Sequence, residues 1–144
     1  MERYEILIAA ALSWLLAQIS KLVSALFKSK GSQSYFRTLF RQGGVVSSHS
    51  SSVASLALSC GLCCGFDSSE FAICFVLSAI VVLDAGGVRY TASRLSKYLN
   101  RSVPETEPEG GKFNENLGHT PLQIVLGLLL GVAVSALTHL IFNS

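Results

Sequence analysis

The chain has 144 residues, which is enough for one domain. Half of it is hydrophobic and only 14% is charged, whereas ordinary soluble domains carry roughly 25% charged residues. This deficit argues against a soluble protein and indicates a chain that has lipid as its solvent. The net charge is +2, so the molecule has no strong overall field and we expect no nucleic-acid partner.

The first half of the chain contains three predicted helices. The first, at 6–27, is mostly apolar and long enough to cross a hydrocarbon core about 30 Å thick. The second, at 47–66, has a serine-rich first turn and a body of small residues, which let membrane helices approach closely. The third, at 68–83, follows Asp67 as the expected N-cap, with Glu70 three residues later as in a capping box. The two glycines after Asp84 are then expected to interrupt the apolar run.

The second half contains a short amphipathic helix, a loop and one more long helix. The amphipathic helix is predicted at 88–100, with a basic stripe that faces lipid headgroups. The segment at 102–116 is rich in proline, glycine and glutamate, which predicts a mobile surface loop. The last helix runs to residue 142, with Thr120 as N-cap, proline at its first position and Gln123 as the capping partner. It contains a Gly-x-x-x-Gly pattern that favours close helix packing.

We therefore expect an all-α integral membrane bundle with four main helices and one short amphipathic interfacial helix, forming a single domain over 1–144. Basic residues follow the first and third helices, and the positive-inside rule places both segments on the cytoplasmic side or its organellar equivalent. Both termini then lie on the opposite side. The unusual polar residues consequently converge on one membrane face, where such clusters usually carry function: Lys21, His49, Asp84, Arg89 and His119.

This face has the chemistry of a phosphate pocket. The helix starts near His49 and His119 present backbone N–H groups that favour anions. Lys21 and Arg89 add positive charge, and Arg37 and Arg41 are further candidates. A histidine beside a phosphate can attack phosphorus or protonate the leaving oxygen.

Four motifs resemble the divergent branch of the type 2 phosphatidic acid phosphatase and vanadium-dependent haloperoxidase superfamily. GGVVSSHSSS at 43–52 resembles its GGMPSSHSA signature, and AQISK at 17–21 resembles its first-helix AQ-x-x-K. VVLDAGGVR at 81–89 is similar to DA-x-GVR, and LGHTPLQIVLGLLLG at 117–131 is similar to LGHTPLEV followed by a small-residue helix. The motifs occur in the family's order and cover most of the chain.

The resemblance implies a mechanism and a role for each matching residue. It makes His119 the nucleophile that forms a phosphohistidine and His49 the acid that protonates the leaving group. The implied phosphate-binding residues are Lys21, Ser47, Ser48 and Arg89. The supporting residues are Asp84 and Gln123, the first because it belongs to the branch's own signature.

The chain departs from the superfamily at three places. Val45 and Val46 replace the Met-Pro of the signature. Gln123 stands four residues after the implied nucleophile, where the superfamily has a carboxylate, and we interpret it first as the capping partner of Thr120. Phe113 stands at the superfamily's arginine position, with Lys112 as the nearest basic residue.

These departures leave two functions open. The leading hypothesis is a membrane-embedded phosphatase-like protein that hydrolyses a lipid or small-molecule phosphate through a histidine nucleophile, without a metal or other cofactor. The alternative is a non-catalytic membrane protein that binds anionic headgroups or a protein partner through a degenerate phosphate pocket. Phosphate or vanadate would fit the pocket in either case, but haloperoxidase chemistry receives little weight because it needs more anion ligands than this chain offers.

The cysteines are interpreted as structural. Three of them lie in the apolar stretch CGLCCGF at 60–66 and the fourth is Cys74. Cys60 and Cys63 have the spacing of half a zinc site, but no second Cys/His pair follows at zinc-ligand spacing. We therefore expect small apolar packing residues and no metal site.

Overall fold

The computed structural model describes residues 2–28, 45–102, 113–115 and 117–144. Its described part is all-helical and contains no strand, which confirms the predicted fold class. The helices are α1 (Glu2–Lys28), α2 (Ser48–Cys64), α3 (Ser69–Gly86), α4 (Val88–Ser102) and α5 (Pro121–Phe142). Most of the predicted loop, at 103–112 and 116, lies outside the described residues.

Helix α2 is the centre of the bundle and packs against α1, α5 and α3. It runs antiparallel to α1, because the Lys21 ammonium bonds to Ser48 while Ser13 bonds to Ser51. It runs parallel to α5, whose Ser135 bonds to Ser59 farther along. The starts of α2 and α5 and the carboxyl ends of α1 and α3 therefore lie at one end of the bundle.

The core consists of small polar residues rather than large apolar ones. The largest side chains with less than 2% exposure are all serines. Ser13 and Ser51 Oγ atoms lie 2.5 Å apart, and those of Ser59 and Ser135 lie 2.8 Å apart. In a bilayer the hydrophobic effect does not drive helices together, because lipid tails are as apolar as the side chains. Close helix packing and hydrogen bonds between helices hold such a bundle together instead.

The large apolar side chains point outwards instead. On α3, Phe75, Ile80 and Leu83 are more than half exposed. Three stretches are long and apolar enough to cross a membrane by length and composition: Tyr4–Ser24, Ser69–Ser102 and Pro121–Phe142. Helix α2, with 17 residues, is the shortest of the four main helices, and its neighbours cover it.

Two details at the ends of α3 differ from expectation. The predicted Asp67 cap is wrong by one residue: Ser68 is the N-cap, accepting a hydrogen bond from the Phe71 N–H at 3.1 Å. The Ser68 hydroxyl also donates to the carbonyl of Gly65 at 2.7 Å, so one side chain closes the turn and caps the helix. At the other end α3 continues past Asp84 to Gly86, and Gly87 caps it by donating to the Leu83 carbonyl at 2.8 Å.

Helix α4 begins directly after this cap, at Val88. Its residues are helical as far as Ser102, two residues beyond the predicted end. Ser93 and Ser96 are buried, whereas Arg94 and Lys97 are exposed. The location of this helix at the membrane interface stays a prediction.

Candidate functional site

A cavity of about 110 Å³ lies where the carboxyl end of α3 meets the starts of α2 and α4. A cavity of this volume can hold several water molecules, so it has room for a small anion. The structure brings together here four of the predicted residues, which come from α2, α3, α4 and the segment before α5. The lining residues are His49, Val81, Asp84, Ala85, Arg89, Leu117 and His119.

His49 occupies the first turn of α2, and its position depends on how that helix begins. The N-cap Ser47 accepts a hydrogen bond from the Ser50 N–H at 3.4 Å and one from the Ser50 hydroxyl at 3.0 Å. The Ser47 N–H donates to the Gln123 carbonyl at 3.0 Å, so the start of α2 is tied to the first turn of α5. Ser47, predicted to bind phosphate, is fully buried in this cap and does not line the cavity.

His119 reaches the cavity because the residues before α5 lie on the end of α3. Its N–H donates to the Ala85 carbonyl at 3.3 Å. A side chain at Gly118 would collide with the backbone of Tyr90 at the start of α4, so only glycine allows this close approach. His119 is 5% exposed, and among the described residues its buried Nδ1 atom has no hydrogen-bond partner.

Gln123 and Thr120 form the predicted capping box at the start of α5. The Thr120 N–H donates to Gln123 Oε1 at 2.8 Å, and the Gln123 N–H donates to Thr120 Oγ1 at 3.4 Å. The Gln123 side chain also hydrogen-bonds to His119. One neutral amide therefore caps the helix and orients the imidazole.

The environment of His119 favours its neutral form. Burial lowers the pKa of the ring below the ordinary value of 6.5, and the positive charge of Lys21 lowers the pKa further. The hydrogen bond to Gln123 opposes this shift, because an acceptor beside the ring stabilises the imidazolium. His119 is therefore neutral at pH 7 and has an unprotonated ring nitrogen.

The positive charges lie at two depths around the cavity. Lys21 is 5% exposed, and its ammonium donates to Ser48 Oγ at 3.0 Å. This contact holds a buried charge behind the first turn of α2 rather than in the cavity wall. Arg89 lies at the rim, where its Nε atom is 2.5 Å from Asp84 Oδ2 and about half of its side chain is exposed.

The other predicted basic positions are not part of this geometry. Phe113, at the superfamily's arginine position, is 54% exposed, and both its N–H and its carbonyl bond to the side chain of Asn100 on α4. Lys112, Arg37 and Arg41 lie outside the described residues. Among the described residues, Arg89 is thus the arginine that reaches the cavity.

Sequence reasoning missed the apolar part of the wall and one positioning residue. Val81, Ala85 and Leu117 line the cavity, but an apolar residue in an apolar helix carries no signal of its own. Gly118 did carry a signal, because it stands directly before His119 between larger residues. A glycine there indicates a close backbone approach, which Tyr90 supplies.

Comparisons with known proteins give two matches. The model of a family described as "Divergent PAP2 family" matches residues 3–134. The "Uncharacterized membrane protein YuiD" of Bacillus subtilis (strain 168) is 31% identical over 108 residues, which are 65% of this chain and 68% of that protein. No solved structure matches the chain.

Proposed function

Since this multi-pass integral membrane protein belongs to the divergent PAP2 family, we propose that it hydrolyses a phosphate ester or diphosphate in the cavity beside His119. The observation that carries the proposal is the meeting of His49 and His119 in one cavity with Arg89 at the rim and Lys21 behind it. These residues come from four separate segments, so their meeting is a property of the tertiary fold.

The groups around the cavity suit a phosphate anion. The first turn of α2 contains the N–H groups of Ser48 and His49, which have no acceptor within their own helix. Lys21 raises the positive potential behind this turn, and Arg89 can exchange its contact with Asp84 for one to a phosphate oxygen. The anion would take the place of the Asp84 carboxylate beside Arg89. This exchange costs little free energy, because an exposed ion pair stabilises a protein only slightly.

The reaction then needs a nucleophile and an acid, and the two histidines divide these roles. The neutral ring of His119 attacks phosphorus, so that a P–N bond forms while the bond from phosphorus to the leaving oxygen breaks. His49 donates a proton to that oxygen: burial and the positive charge of Lys21 lower the pKa of this ring, whereas the negative charge of a bound phosphate would raise it. Water then attacks the phosphohistidine, releases inorganic phosphate and restores His119, while His49 takes up the proton that water loses.

The position of the cavity favours a lipid phosphate as substrate. The cavity lies at the end of α3, where Leu83 and Val88 are each more than 70% exposed. On a membrane helix such side chains contact acyl chains, so a lipid headgroup can reach the cavity while its tails stay in the bilayer. A small water-soluble phosphate would not use this apolar surface.

The test is phosphate release by the purified protein in detergent and in vesicles, against lipid phosphates and soluble phosphate esters of matched headgroup chemistry. His119→Ala is expected to abolish release and His49→Ala to reduce it by about 10²–10⁴-fold, the usual range for general acid catalysis. Lys97→Ala, which removes an exposed charge on α4, serves as the control and should retain full activity. Undiminished release by both histidine variants would refute the proposal.

A second candidate is binding of an anionic headgroup without turnover. The neutral side chain of Gln123, occupied by the capping box, favours it, because an amide stabilises the imidazolium less than a carboxylate does. The assay compares the unmodified protein with Gln123→Glu, which keeps a capping side chain and adds the negative charge. Turnover by the unmodified protein excludes this candidate, whereas turnover by the variant alone supports it.

A further inference from the structure

A second polar cluster lies at the end of the bundle opposite the cavity. It joins Glu5 near the start of α1, Cys63 at the end of α2 and His139 near the end of α5. One ligand atom from each residue lies within 4.8 Å of the other two. At 1.5 Å per helical residue, this cluster lies roughly 20 Å along α2 from His49, so the two sites are separate.

The burial of Glu5 requires an explanation. Its side chain is 4% exposed, in a helix apolar enough to cross a membrane. A buried carboxylate is stable only if a cation or hydrogen bonds compensate its charge. The partner in the structure is His139, whose Nδ1 atom lies 2.7 Å from Glu5 Oε1, and whose side chain is 30% exposed.

We propose that Glu5, Cys63 and His139 bind a zinc ion, or another borderline divalent transition metal ion, at this end of the bundle. Carboxylate oxygen, thiolate sulfur and imidazole nitrogen are the three kinds of atom that zinc takes from proteins. In a tetrahedral zinc site these atoms lie about 3.3–3.8 Å apart, as the usual bond lengths require. In the structure the Glu5 and His139 atoms are 2.7 Å apart, and no two of the three ligand atoms are more than 4.8 Å apart, so small shifts of the side chains would give these separations.

The charges of the cluster fit a divalent cation. The Glu5 carboxylate and the Cys63 thiolate supply two negative charges, and His139 binds as a neutral ring. A divalent ion makes the sum zero, which is the state that costs least at an apolar location. Because His139 reaches the surface, water can complete the tetrahedral coordination, as in zinc sites with three protein ligands.

Such a site would cross-link three helices at the end of the bundle opposite the cavity, beyond the hydrogen bonds between the core serines. It would join the start of α1 to the ends of α2 and α5. Sequence spacing did not show this site because its ligands are 58 and 76 residues apart in the chain. It also gives His139 and Cys63 a role outside the phosphate cavity.

The experiment measures metal content and coordination in the full-length protein in detergent. The protein is stripped with a chelator, loaded with Zn²⁺, desalted and analysed by mass spectrometry for bound zinc. A second sample is loaded with Co²⁺, whose thiolate charge-transfer absorption reports a bond to cysteine sulfur. We expect about one zinc ion per chain, as a single three-ligand site holds, and a thiolate band with Co²⁺.

The variants assign the ligands. Cys63→Ser is expected to lose the Co²⁺ thiolate band and to bind zinc at least about tenfold more weakly, the smallest loss typical even of residues that only support a ligand. Glu5→Gln should also bind zinc at least about tenfold more weakly while keeping a hydrogen-bonding group beside His139. Cys64→Ser, which changes the adjacent exposed cysteine, is the matched control and should bind like the unmodified protein.

Three results would overturn the proposal. The first is an unmodified protein that holds no zinc after loading, and the second is undiminished zinc binding by the Cys63→Ser and Glu5→Gln variants. Loss of binding in Cys64→Ser to the same extent would place the metal on the cysteine pair instead. If circular dichroism shows that Cys63→Ser does not fold, the zinc affinity of Glu5→Gln decides whether the proposal holds.

Discussion

Replacing Gly127 with alanine tests the close contact between α5 and the start of α2. A Cβ atom at this position would lie 2.5 Å from the carbonyl oxygen of Ser47, whereas ordinary contacts begin at 3.4 Å. The obstacle is backbone, so α5 must move away by roughly 0.9 Å, and overpacking of this kind costs about 1–3 kcal/mol. The same movement would stretch the hydrogen bond from the Ser47 N–H to the Gln123 carbonyl from 3.0 Å to about 3.9 Å, beyond hydrogen-bonding distance.

The net effect follows from three terms. Loss of the buried hydrogen bond adds about 1 kcal/mol to the cost of overpacking. Alanine regains about 1 kcal/mol of helix propensity relative to glycine. We therefore expect Gly127→Ala to lower the free energy of unfolding by about 1–3 kcal/mol, the cost of overpacking that remains.

The control is a second glycine-to-alanine change within a helix. At Gly86 the new Cβ would meet only the terminal methyl group of Ile124, at 2.9 Å, and this side chain can rotate away. Gly86→Ala should be neutral or stabilising by up to about 1 kcal/mol, since it keeps the gain in propensity. Unfolding in mixed micelles with increasing denaturing detergent measures the free energy of unfolding of both variants. A Gly127→Ala variant as stable as Gly86→Ala would refute the argument for close α2–α5 contact.

Three further predictions concern the cavity and the cysteines. Burial and the charge of Lys21 lower the pKa of His119 below 6.5. As the pH is lowered, the rate of phosphate release should therefore fall only below pH 6.5, where the ring becomes protonated. A pH–rate profile in which the rate already falls above pH 6.5 would contradict this. Lys21→Met should weaken inhibition by vanadate, because it removes the positive charge behind the first turn of α2, whereas Lys97→Met should not change it. Mild chemical oxidation should link Cys60 to Cys74, whose Sγ atoms are 3.3 Å apart, and mass spectrometry of unreduced peptides should detect the link in the unmodified protein but not in Cys60→Ser.

The local elements of this protein could be predicted because local chemistry decides them. The apolar lengths of the long helices, the cap formed by Thr120 and Gln123, and the glycine at the end of α3 all depend on residues within a few positions of each other. Asp67 shows the limit of such reasoning, since Asp67 and Ser68 are both good N-caps. Ser68 caps the helix because its hydroxyl also closes the turn to Gly65.

The candidate cavity could be predicted in part. Charge placement and the resemblance of four motifs brought His49, Asp84, Arg89 and His119 to one face, and the structure places them around one cavity. The roles of these residues in phosphate chemistry stay predictions. The sequence did not show that Lys21 lies behind Ser48 rather than in the cavity wall, because that depends on how α1 is rotated against α2.

The sequence by itself determined a membrane bundle of small-residue helices, since composition and hydrophobic length follow from the solvent in which the chain must be stable. Only the tertiary structure decided which distant polar groups meet. The two ends of the bundle differ in this respect: motifs mark the end with His49 and His119, whereas nothing in the spacing of Glu5, Cys63 and His139 marks the other. Contacts between helices depend on their rotation and register, which are set by the packing of serines and glycines across the whole interface.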